Sequence, residues 1–347
     1  MISSLLEAHI LHPAGLTDIL RQAGTMRHGS VTRLAIDLRV PTSVSNLVFF
    51  VVSYSADATG LPNHLLLKWP LEHMVDAGAA ERSFYVKLAP SLPSPPIVKC
   101  MASSPLATEP PWLVLEDLRR SHTNPPWPLL PPRTSFESAL AVLAQIHAHW
   151  WESPALGSTI GTAHTDASLR TMVHGYAAKV PGFLDALGDT MSPEDHAVLE
   201  RVFSSSPAPW LRLLEPRALT VTHGDAHPWN FLFPRKDTDA TYLVDWQVWH
   251  VDVGARDLAF MIALHMDPGT RQRVERPLLR HYHGRLEAGG VTGYAFEDLW
   301  ADYRRCVVRN LTFPILLWSR GLPAEAWQHR LQCALAAYRD LDCSEFL

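Results

Sequence analysis

The chain has 347 residues, of which 47% are hydrophobic and 19% are charged, a balance typical of a globular protein and not of a disordered one. This length exceeds what one compact core holds, so two lobes are expected. The formal net charge is −5 and no run of Lys and Arg stands out, which argues against a nucleic-acid partner.

Neither a secretion signal nor a membrane span is predicted. The N-terminus lacks a basic region followed by a long apolar run, and no stretch of about 18 uncharged apolar residues occurs. The four cysteines form no C-x-x-C pair, so neither a zinc site nor a disulfide framework is predicted. The reducing cytoplasm is the expected compartment. No pattern in the sequence indicates an oligomeric state.

Residues 1–117 are predicted to form a small antiparallel sheet with one helix, an α+β unit. A short amphipathic helix is expected over residues 15–23, and the helix that accompanies the sheet over residues 77–89. Loosely alternating apolar residues predict a strand at residues 30–40, and a strongly β-prone run predicts a second strand at residues 47–54. Further strands are expected at residues 65–69, 97–101 and 112–115.

Residues 118–347 are predicted to be mostly α-helical, except for a segment from Val221 to Val253. A Pro-rich loop at residues 124–132 precedes Thr134-x-x-Glu137, a capping-box pattern that predicts a helix running to about Trp150. The C-terminal helix that begins near Phe296 contains Pro314, which is expected to kink or break it.

The most informative segment begins at His223. Asp225 follows two residues later and Asn230 seven residues later, which is the spacing of the kinase catalytic loop H-R-D-x-x-x-x-N. Fifteen residues beyond Asn230, an apolar strand ends at Asp245. The pattern predicts two acidic groups and one amide at a common site.

Phosphoryl transfer requires these residue types. Mg²⁺ prefers hard oxygen ligands, which Asp245 and the Asn230 amide offer, and Asp225 suits the orientation and deprotonation of an acceptor hydroxyl. The phosphates also need a cation. Lys68, at the centre of a predicted strand, is suited to that role, with Glu81 on the following helix as its acidic partner.

On these residues the chain resembles the aminoglycoside phosphotransferase and choline-kinase-like superfamily, and most closely its ecdysteroid-kinase-like branch. The resemblance extends from about residue 30 to residue 265. Its further motifs are Glu81-x-x-Phe84-Tyr85-x-x-Leu88, Leu113-Val-Leu-Glu-Asp-Leu118, Leu143-Ala-Gln-Ile-His147-Ala148, Leu243-Val-Asp245-Trp-Gln247 and Gly254-x-x-Asp257-Leu-Ala259.

The resemblance implies a bilobal protein-kinase-like fold with a small antiparallel-sheet N-lobe (1–117), a larger, mostly α-helical C-lobe (118–347), and an active site between them. It implies an ATP- and Mg²⁺-dependent phosphotransferase acting on a small-molecule hydroxyl. The implied catalytic base is Asp225, and the implied Mg²⁺ ligands are Asn230 and Asp245.

The resemblance also implies the nucleotide contacts. Lys68, held by Glu81, would contact the α- and β-phosphates, and the backbone of Glu116 to Leu118 would meet the adenine. Ser45-Asn46 resembles a Ser-Asn pair of the family.

Two features depart from protein kinases. The predicted phosphate loop, Pro41 to Asn46, contains no glycine, and hydroxyl and N–H groups of Thr42, Ser43 and Ser45 would replace the usual glycine-rich contacts.

The second departure concerns the catalytic loop and the segment after it. Gly224 stands in place of the loop arginine, and only eleven residues separate Asp245 from Asp257. The short interval leaves no room for a long activation segment, which disfavours a protein substrate.

Other interpretations remain open. His223 suits a bracing role in the loop, and His227 suits either bracing or contact with the substrate. Asp257 suits a helix cap that ties the loop down. His147 suits the core. Trp249 and Trp318 are candidates for an aromatic box, with packing as the alternative.

Two other functions stay open. One is a catalytically silent nucleotide-binding protein, and the other is a kinase for a cationic substrate such as choline or an aminoglycoside. Segments 160–210 and 265–347 are expected to contact the acceptor.

Overall fold

The computed structural model describes residues 4–203, 210, 217–236 and 240–347. The chain forms two compact units. The first unit contains residues 1–124 and 230–249, and the second contains residues 125–229 and 250–347. The sequence predicts a single boundary between lobes at residue 117, and this stays a prediction. Each of the two compact units instead contains two separate segments of the chain.

Strands form where β-branched and aromatic side chains were concentrated in the sequence. The first unit has an antiparallel sheet of order β1-β2-β3-β5-β4 and a small sheet of order β6-β8-β9, and the second unit has the pair β10-β7. The strands are β1 (Val31–Pro41), β2 (Ser45–Tyr54), β3 (His64–Pro70), β4 (Cys100–Ser103), β5 (Leu113–Glu116), β6 (His122–Thr123), β7 (Leu219–Thr222), β8 (Phe231–Pro234), β9 (Tyr242–Leu243) and β10 (His250–Val253).

Helices α1 (Ser4–Ile10) and α2 (Pro13–Gln22) cover one face of the large sheet. Leu16 and Leu20 of α2 are fully buried together with Val48 and Phe50 of β2. The Thr17 hydroxyl accepts a hydrogen bond from the amide of Val31 at 2.9 Å, which fixes α2 to the start of β1. The β-prone run that forms β2 and the amphipathic pattern of α2 therefore build one shared core.

A third helix of the first unit follows β3. It comprises α3 (Val75–Ser83), which continues as a π-helical turn from Phe84 to Leu88. The predicted helix over residues 77–89 is thus present, but it begins earlier and widens at Phe84. A π-helical turn places one extra residue in a helical turn and shifts the side chains beyond it around the axis.

The second unit is mainly helical in its described part, as predicted. Its helices are α4 (Arg133–Trp150), α5 (Asp166–Ala177), α6 (Val180–Leu187), α7 (Pro193–Val202), α8 (Ala255–Ala263), α9 (Pro268–Ala288), α10 (Phe296–Asn310), α11 (Thr312–Ser319) and α12 (Gln328–Asp340). Helix α8 is buried along most of its length and forms the centre of this unit. Part of the predicted acceptor-contacting segment 160–210, residues 204–209, lies outside the described residues.

Several local predictions can be compared with the structure. The capping box at Thr134 is wrong: α4 begins at Arg133 with Pro132 as its N-cap residue, and Glu137 accepts a hydrogen bond from Arg133 at 2.8 Å. The break expected at Pro314 is confirmed, because α10 ends at Asn310 and Pro314 falls in the first turn of α11. Within the described residues, no helix has the length and apolar character needed to cross a membrane.

Candidate active site

Lys68 lies in the middle of the large sheet. Its backbone pairs with Leu47 of β2 on one side and with Leu113 of β5 on the other. The residue is 9% exposed, so its ammonium group needs partners inside the first unit. It has two: Nζ lies 2.7 Å from an oxygen of Glu81 and 2.7 Å from Oδ1 of Asp245.

Glu81 reaches Lys68 because α3 approaches β3 very closely at Gly78. A Cβ atom placed on Gly78 would lie 2.6 Å from Cγ of Pro70, the last residue of β3. Only glycine permits this approach, since any side chain would collide with the proline ring. Glu81 follows Gly78 by three residues, about one helical turn, so it lies on the same face of α3 as the close contact.

Asp245 is presented by an unusual backbone conformation. It follows β9 and has φ of 70°, in the left-handed region that few residues other than glycine adopt. The next residue, Trp246, is fully buried and stacks on Phe84 with ring centroids 3.7 Å apart and planes inclined by 6°. This stack fixes the Asp245 backbone to the π-helical turn that follows Glu81.

The three charged groups stabilise one another. Burial alone would lower the pKa of Lys68, but the charges of Asp245 and Glu81 outweigh it and raise that pKa above its ordinary value. Burial raises the pKa of the Glu81 carboxyl, and the charge of Lys68 opposes this shift. Lys68 therefore stays an ammonium cation at any physiological pH, which is the form that binds phosphate.

Asn230 belongs to the same unit and lies close to Asp245. It ends a 3-10 turn (Pro228–Asn230) and is 7% exposed. Its carbonyl accepts a hydrogen bond from the amide of Val244 at 3.0 Å, and Val244 immediately precedes Asp245. This backbone bond joins the segments that carry Asn230 and Asp245, and both residues line the same cavity.

These residues line one cavity of about 290 Å³ within the first unit. Lys68, Glu81, Asn230 and Asp245 supply one part of its polar lining. The apolar part of its lining comprises Leu47, Phe49, Leu66, Tyr85, Val98, Leu115, Leu118, Leu232 and Val244. A cavity with both parts suits a ligand that joins an apolar ring to a polyanion.

The predicted adenine-contacting segment also lines this cavity, through Glu116, Asp117 and Leu118. In the register of β3 with β5, Leu65 pairs with Glu116 and Lys68 pairs with Leu113. The segment therefore lies three residue pairs from the lysine, roughly 10 Å at about 3.3 Å per residue.

Sequence reasoning missed Arg119 beside this segment. Its guanidinium lies 3.6 Å from the ring centroid of Phe49, and its side chain donates hydrogen bonds to Asp117 and Asp37. Arg119 and Phe49 both line the cavity, so a cation–π pair forms part of its wall. The only signal in the sequence was a charged residue directly after the segment Glu116 to Leu118, which is predicted to contact the adenine.

Ser45 and Asn46 are not among the described residues that line the cavity. Ser45 is 1% exposed, and its hydroxyl accepts a hydrogen bond from Gln247 at 2.9 Å. Its amide donates to the Thr42 hydroxyl at 2.8 Å, and the amide of Val44 donates to the same oxygen. The glycine-free turn thus uses these polar groups internally, and the phosphate-binding role of Ser45 and Asn46 stays a prediction.

Asp225 lies in the second unit, in the loop that follows β7. The loop is fastened by Asp257, whose two carboxylate oxygens accept hydrogen bonds from the amides of His223 and Gly224 at 2.7 and 2.9 Å. His223 is 1% exposed, and its Nδ1 accepts a bond from the Asp225 amide at 3.3 Å. The bracing role inferred for His223 and the loop-fastening role inferred for Asp257 are therefore confirmed by their contacts. The helix-cap role inferred for Asp257 is wrong, because Gly254 is the N-cap residue of α8 and no side chain caps that helix.

His147 is more than the core residue that its position in an apolar stripe predicted. It is fully buried, with Nδ1 2.8 Å from the Tyr282 hydroxyl and Nε2 3.3 Å from Oδ2 of Asp257. Burial alone would raise the pKa of Asp257, but its hydrogen bond to His147 and the charges of His147 and His223 hold that pKa below the ordinary value. The signal available in sequence was a histidine on an apolar face, which must find polar partners.

The tryptophans considered for an aromatic box are both used in packing. The Trp249 indole donates to the carbonyl of Ala80 in α3 at 2.8 Å. Trp318 lies edge-to-face against Phe183, with centroids 5.4 Å apart. The packing alternative thus accounts for each of them.

The donor set fits Mg²⁺ bound together with a polyphosphate. Among the described residues no group of three or more His, Cys, Asp or Glu side chains is arranged to hold a metal alone. Mg²⁺ characteristically uses one or two carboxylates together with phosphate and water oxygens, and it does not require such a group. Asp245 and Asn230, both lining the cavity that contains Lys68, meet that requirement.

Comparison with known proteins supports the resemblance. Residues 163–289 match the model of the ecdysteroid kinase-like family. An ethanolamine kinase of Plasmodium vivax has 10% identity and a TM-score of 0.59, covering 90% of this chain and 83% of that one. A choline kinase of Streptococcus pneumoniae has 15% identity and a TM-score of 0.52, covering 89% of this chain and 94% of that one.

A third structure, the GDP complex of an aminoglycoside 2′-phosphotransferase, has 9% identity and a TM-score of 0.54 and covers 96% of this chain and 99% of that one. A sequence comparison with curated proteins gave no match. The similarity predicted from sequence is confirmed, and the fold is the α+β, protein-kinase-like fold of these enzymes.

Proposed function

We propose that this chain, with the fold of the aminoglycoside phosphotransferases and of the choline and ethanolamine kinases, is an ATP-dependent small-molecule kinase. It would transfer the γ-phosphoryl group to an acceptor hydroxyl. The observation that carries the proposal is the convergence of Lys68, Glu81, Asn230 and Asp245 on a single cavity of the first unit.

The residues that line the cavity have distinct proposed roles. Lys68 would bind the nucleotide phosphates, while Glu81 holds the ammonium in place. Asn230 and Asp245 would hold Mg²⁺, which when bound neutralises phosphate charge. The backbone around Glu116 and Leu118 would meet the base, as the apolar lining beside it suggests.

Asp225 would orient the acceptor hydroxyl and accept its proton. It lies five residues before Asn230 in the chain, and Asp257 fixes the loop backbone directly before it. A base on a rigid loop places the hydroxyl with little loss of freedom during the reaction, and positioning is the main protein contribution to phosphoryl transfer.

A silent nucleotide-binding protein is the second candidate, because the turn at Thr42 to Ser45 is hydrogen-bonded within itself. The test is incubation with Mg²⁺–ATP and a library of hydroxyl compounds, followed by detection of phosphorylated products by mass spectrometry. We expect a product whose formation falls by about 10²-fold or more in Asp225→Asn, with nucleotide affinity retained. Nucleotide binding without any product would favour the silent protein, and near-normal turnover by Asp225→Asn would refute its assignment as the base.

A further inference from the structure

The surroundings of Asp225 in the second unit are aromatic and basic. Nε2 of His227 lies 3.4 Å from Oδ2 of Asp225. The His227 ring packs edge-to-face against Trp229 and His265, with centroids 5.5 and 5.7 Å away. A group that reaches Asp225 therefore also meets this set of rings.

Arg330 of α12 lies on the far side of the same rings. Its Nε donates to Nε2 of His265 at 3.4 Å, and its guanidinium lies 5.2 Å from the ring centroid of Trp127. Trp127 in turn packs against Trp229 at 4.4 Å and is 60% exposed. We call this continuous set the Arg330 cluster: Asp225, His227, Trp229, His265, Arg330 and Trp127.

Arg330 is a half-buried cation with no carboxylate within ion-pair distance among the described residues. Its side chain donates hydrogen bonds to the Ala326 carbonyl and to Nε2 of His265. Burial lowers the pKa of Arg330, and the nearby charge of Asp225 opposes that shift. A guanidinium remains charged in proteins, so a charge-assisted donor is available on an aromatic surface.

His265 contributes an uncharged ring to the Arg330 cluster. Nδ1 of His265 donates to the Phe260 carbonyl at 2.8 Å, which leaves Nε2 as the acceptor of the Arg330 bond. Burial, with the charges of His227 and Arg330, holds the pKa of His265 well below its ordinary value, so the ring is neutral at pH 7. The only carboxylate of the cluster is Asp225.

We propose that the Arg330 cluster is the acceptor site, and that it selects a hydroxyl compound bearing an anionic group and a flat apolar body, with Arg330 binding the anion and Trp127 contacting the body. This inference rests on the proposed function, because the acceptor hydroxyl must reach Asp225 and its remainder must lie on the neighbouring surface. A cationic acceptor would place like charge beside Arg330 and be disfavoured.

Three compounds of one shape and different charge test the proposal: 4-(hydroxymethyl)benzoate, 4-(hydroxymethyl)benzamide and 4-(hydroxymethyl)benzylamine. Their affinities are measured by calorimetry with wild-type protein, Arg330→Gln and Arg330→Lys. Arg285→Gln, an exposed change on α9, is the matched control for loss of one positive charge. Binding is measured without nucleotide, and turnover is measured separately with Mg²⁺–ATP.

We expect the anion to bind best and the cation worst. Arg330→Gln should remove about tenfold or more of the affinity for the anion alone, as loss of a charge-assisted hydrogen bond does, while Arg330→Lys keeps part of it and Arg285→Gln changes nothing. The proposal would be overturned if the cation bound as well as the anion or better, or if the preference for the anion survived in Arg330→Gln. It would also be overturned if no compound bound at millimolar concentration. Selective binding without turnover of any hydroxyl compound would instead count against the kinase function while supporting the anion site.

Discussion

At the scale of single residues, Lys68 is a buried cation held between two carboxylates of the first unit. It lies between Glu81 and Asp245 at 2.7 Å from each, and its side chain is 10% exposed. Removing one member of a buried charged set leaves the others without compensation, and that loss typically exceeds the value of the original contact.

We therefore expect Lys68→Met to lower the free energy of unfolding by about 3 kcal/mol or more, since it leaves the buried Glu81 carboxylate without a cation. The double variant Lys68→Met/Glu81→Gln should regain much of this loss. Urea denaturation followed by circular dichroism measures both. A single variant as stable as wild type would show that the ion pairs do not form in solution.

The residue scale is also where sequence reasoning was most informative. The spacing of Asp225, Asn230 and Asp245 belongs to a contiguous stretch of chain, so the pattern was visible without knowledge of the fold. The role of His147 was not visible in the sequence, because its partners Asp257 and Tyr282 lie 110 and 135 residues away. Only tertiary contact distinguishes a core histidine from one that positions a loop.

At the scale of elements, the approach of α3 to β3 determines where Glu81 lies. Helix and strand meet at Gly78 and Pro70 with no space for a side chain. The proline ring is rigid, so a new Cβ atom must displace the helix, and Glu81 would move with it.

Gly78→Ala should thus destabilise the first unit by about 1–3 kcal/mol, the usual cost of overpacking, and weaken nucleotide binding. Gly284→Ala is the matched control, because it lies in α9 with nothing within 4 Å of an added Cβ and should stabilise the protein by up to about 1 kcal/mol. Thermal unfolding and nucleotide titration measure the two effects. If both variants behave alike, close packing at Gly78 does not position Glu81.

Element prediction succeeded where one local signal dominated. β2 was anticipated to within a few residues because its β-branched and aromatic run is long and lies at the core, and β3 because its apolar run is bounded by polar residues and prolines. The start of α4 was misassigned, since Thr134 falls inside the helix that begins after Pro132. The π-helical turn at Phe84 had no local signal, because its stacking partner is Trp246.

At the scale of the whole molecule, the fold is shared with enzymes that have only 9–15% identity to this chain. Fold similarity at this level of identity does not by itself establish a shared site, because function depends on the particular residues placed on a fold. The class of fold was predictable from motif order, namely Lys, Glu, the loop and the final Asp. The proposed acceptor surface was not predictable from the sequence, because Arg330 and Trp127 belong to no motif and meet only in the folded second unit.

The central claim is that Asp245 and Lys68 make one Mg²⁺–nucleotide site in the first unit. The most direct measurement is isothermal titration calorimetry of ATP with excess Mg²⁺ and with EDTA, using wild type, Asp245→Asn and the remote control Gly284→Ala. The account predicts Mg²⁺-dependent binding that falls by at least about tenfold in Asp245→Asn, as loss of a carboxylate that binds the metal requires, and is unchanged in Gly284→Ala. ATP affinity that is equal with and without Mg²⁺, or unaltered in Asp245→Asn, would contradict it.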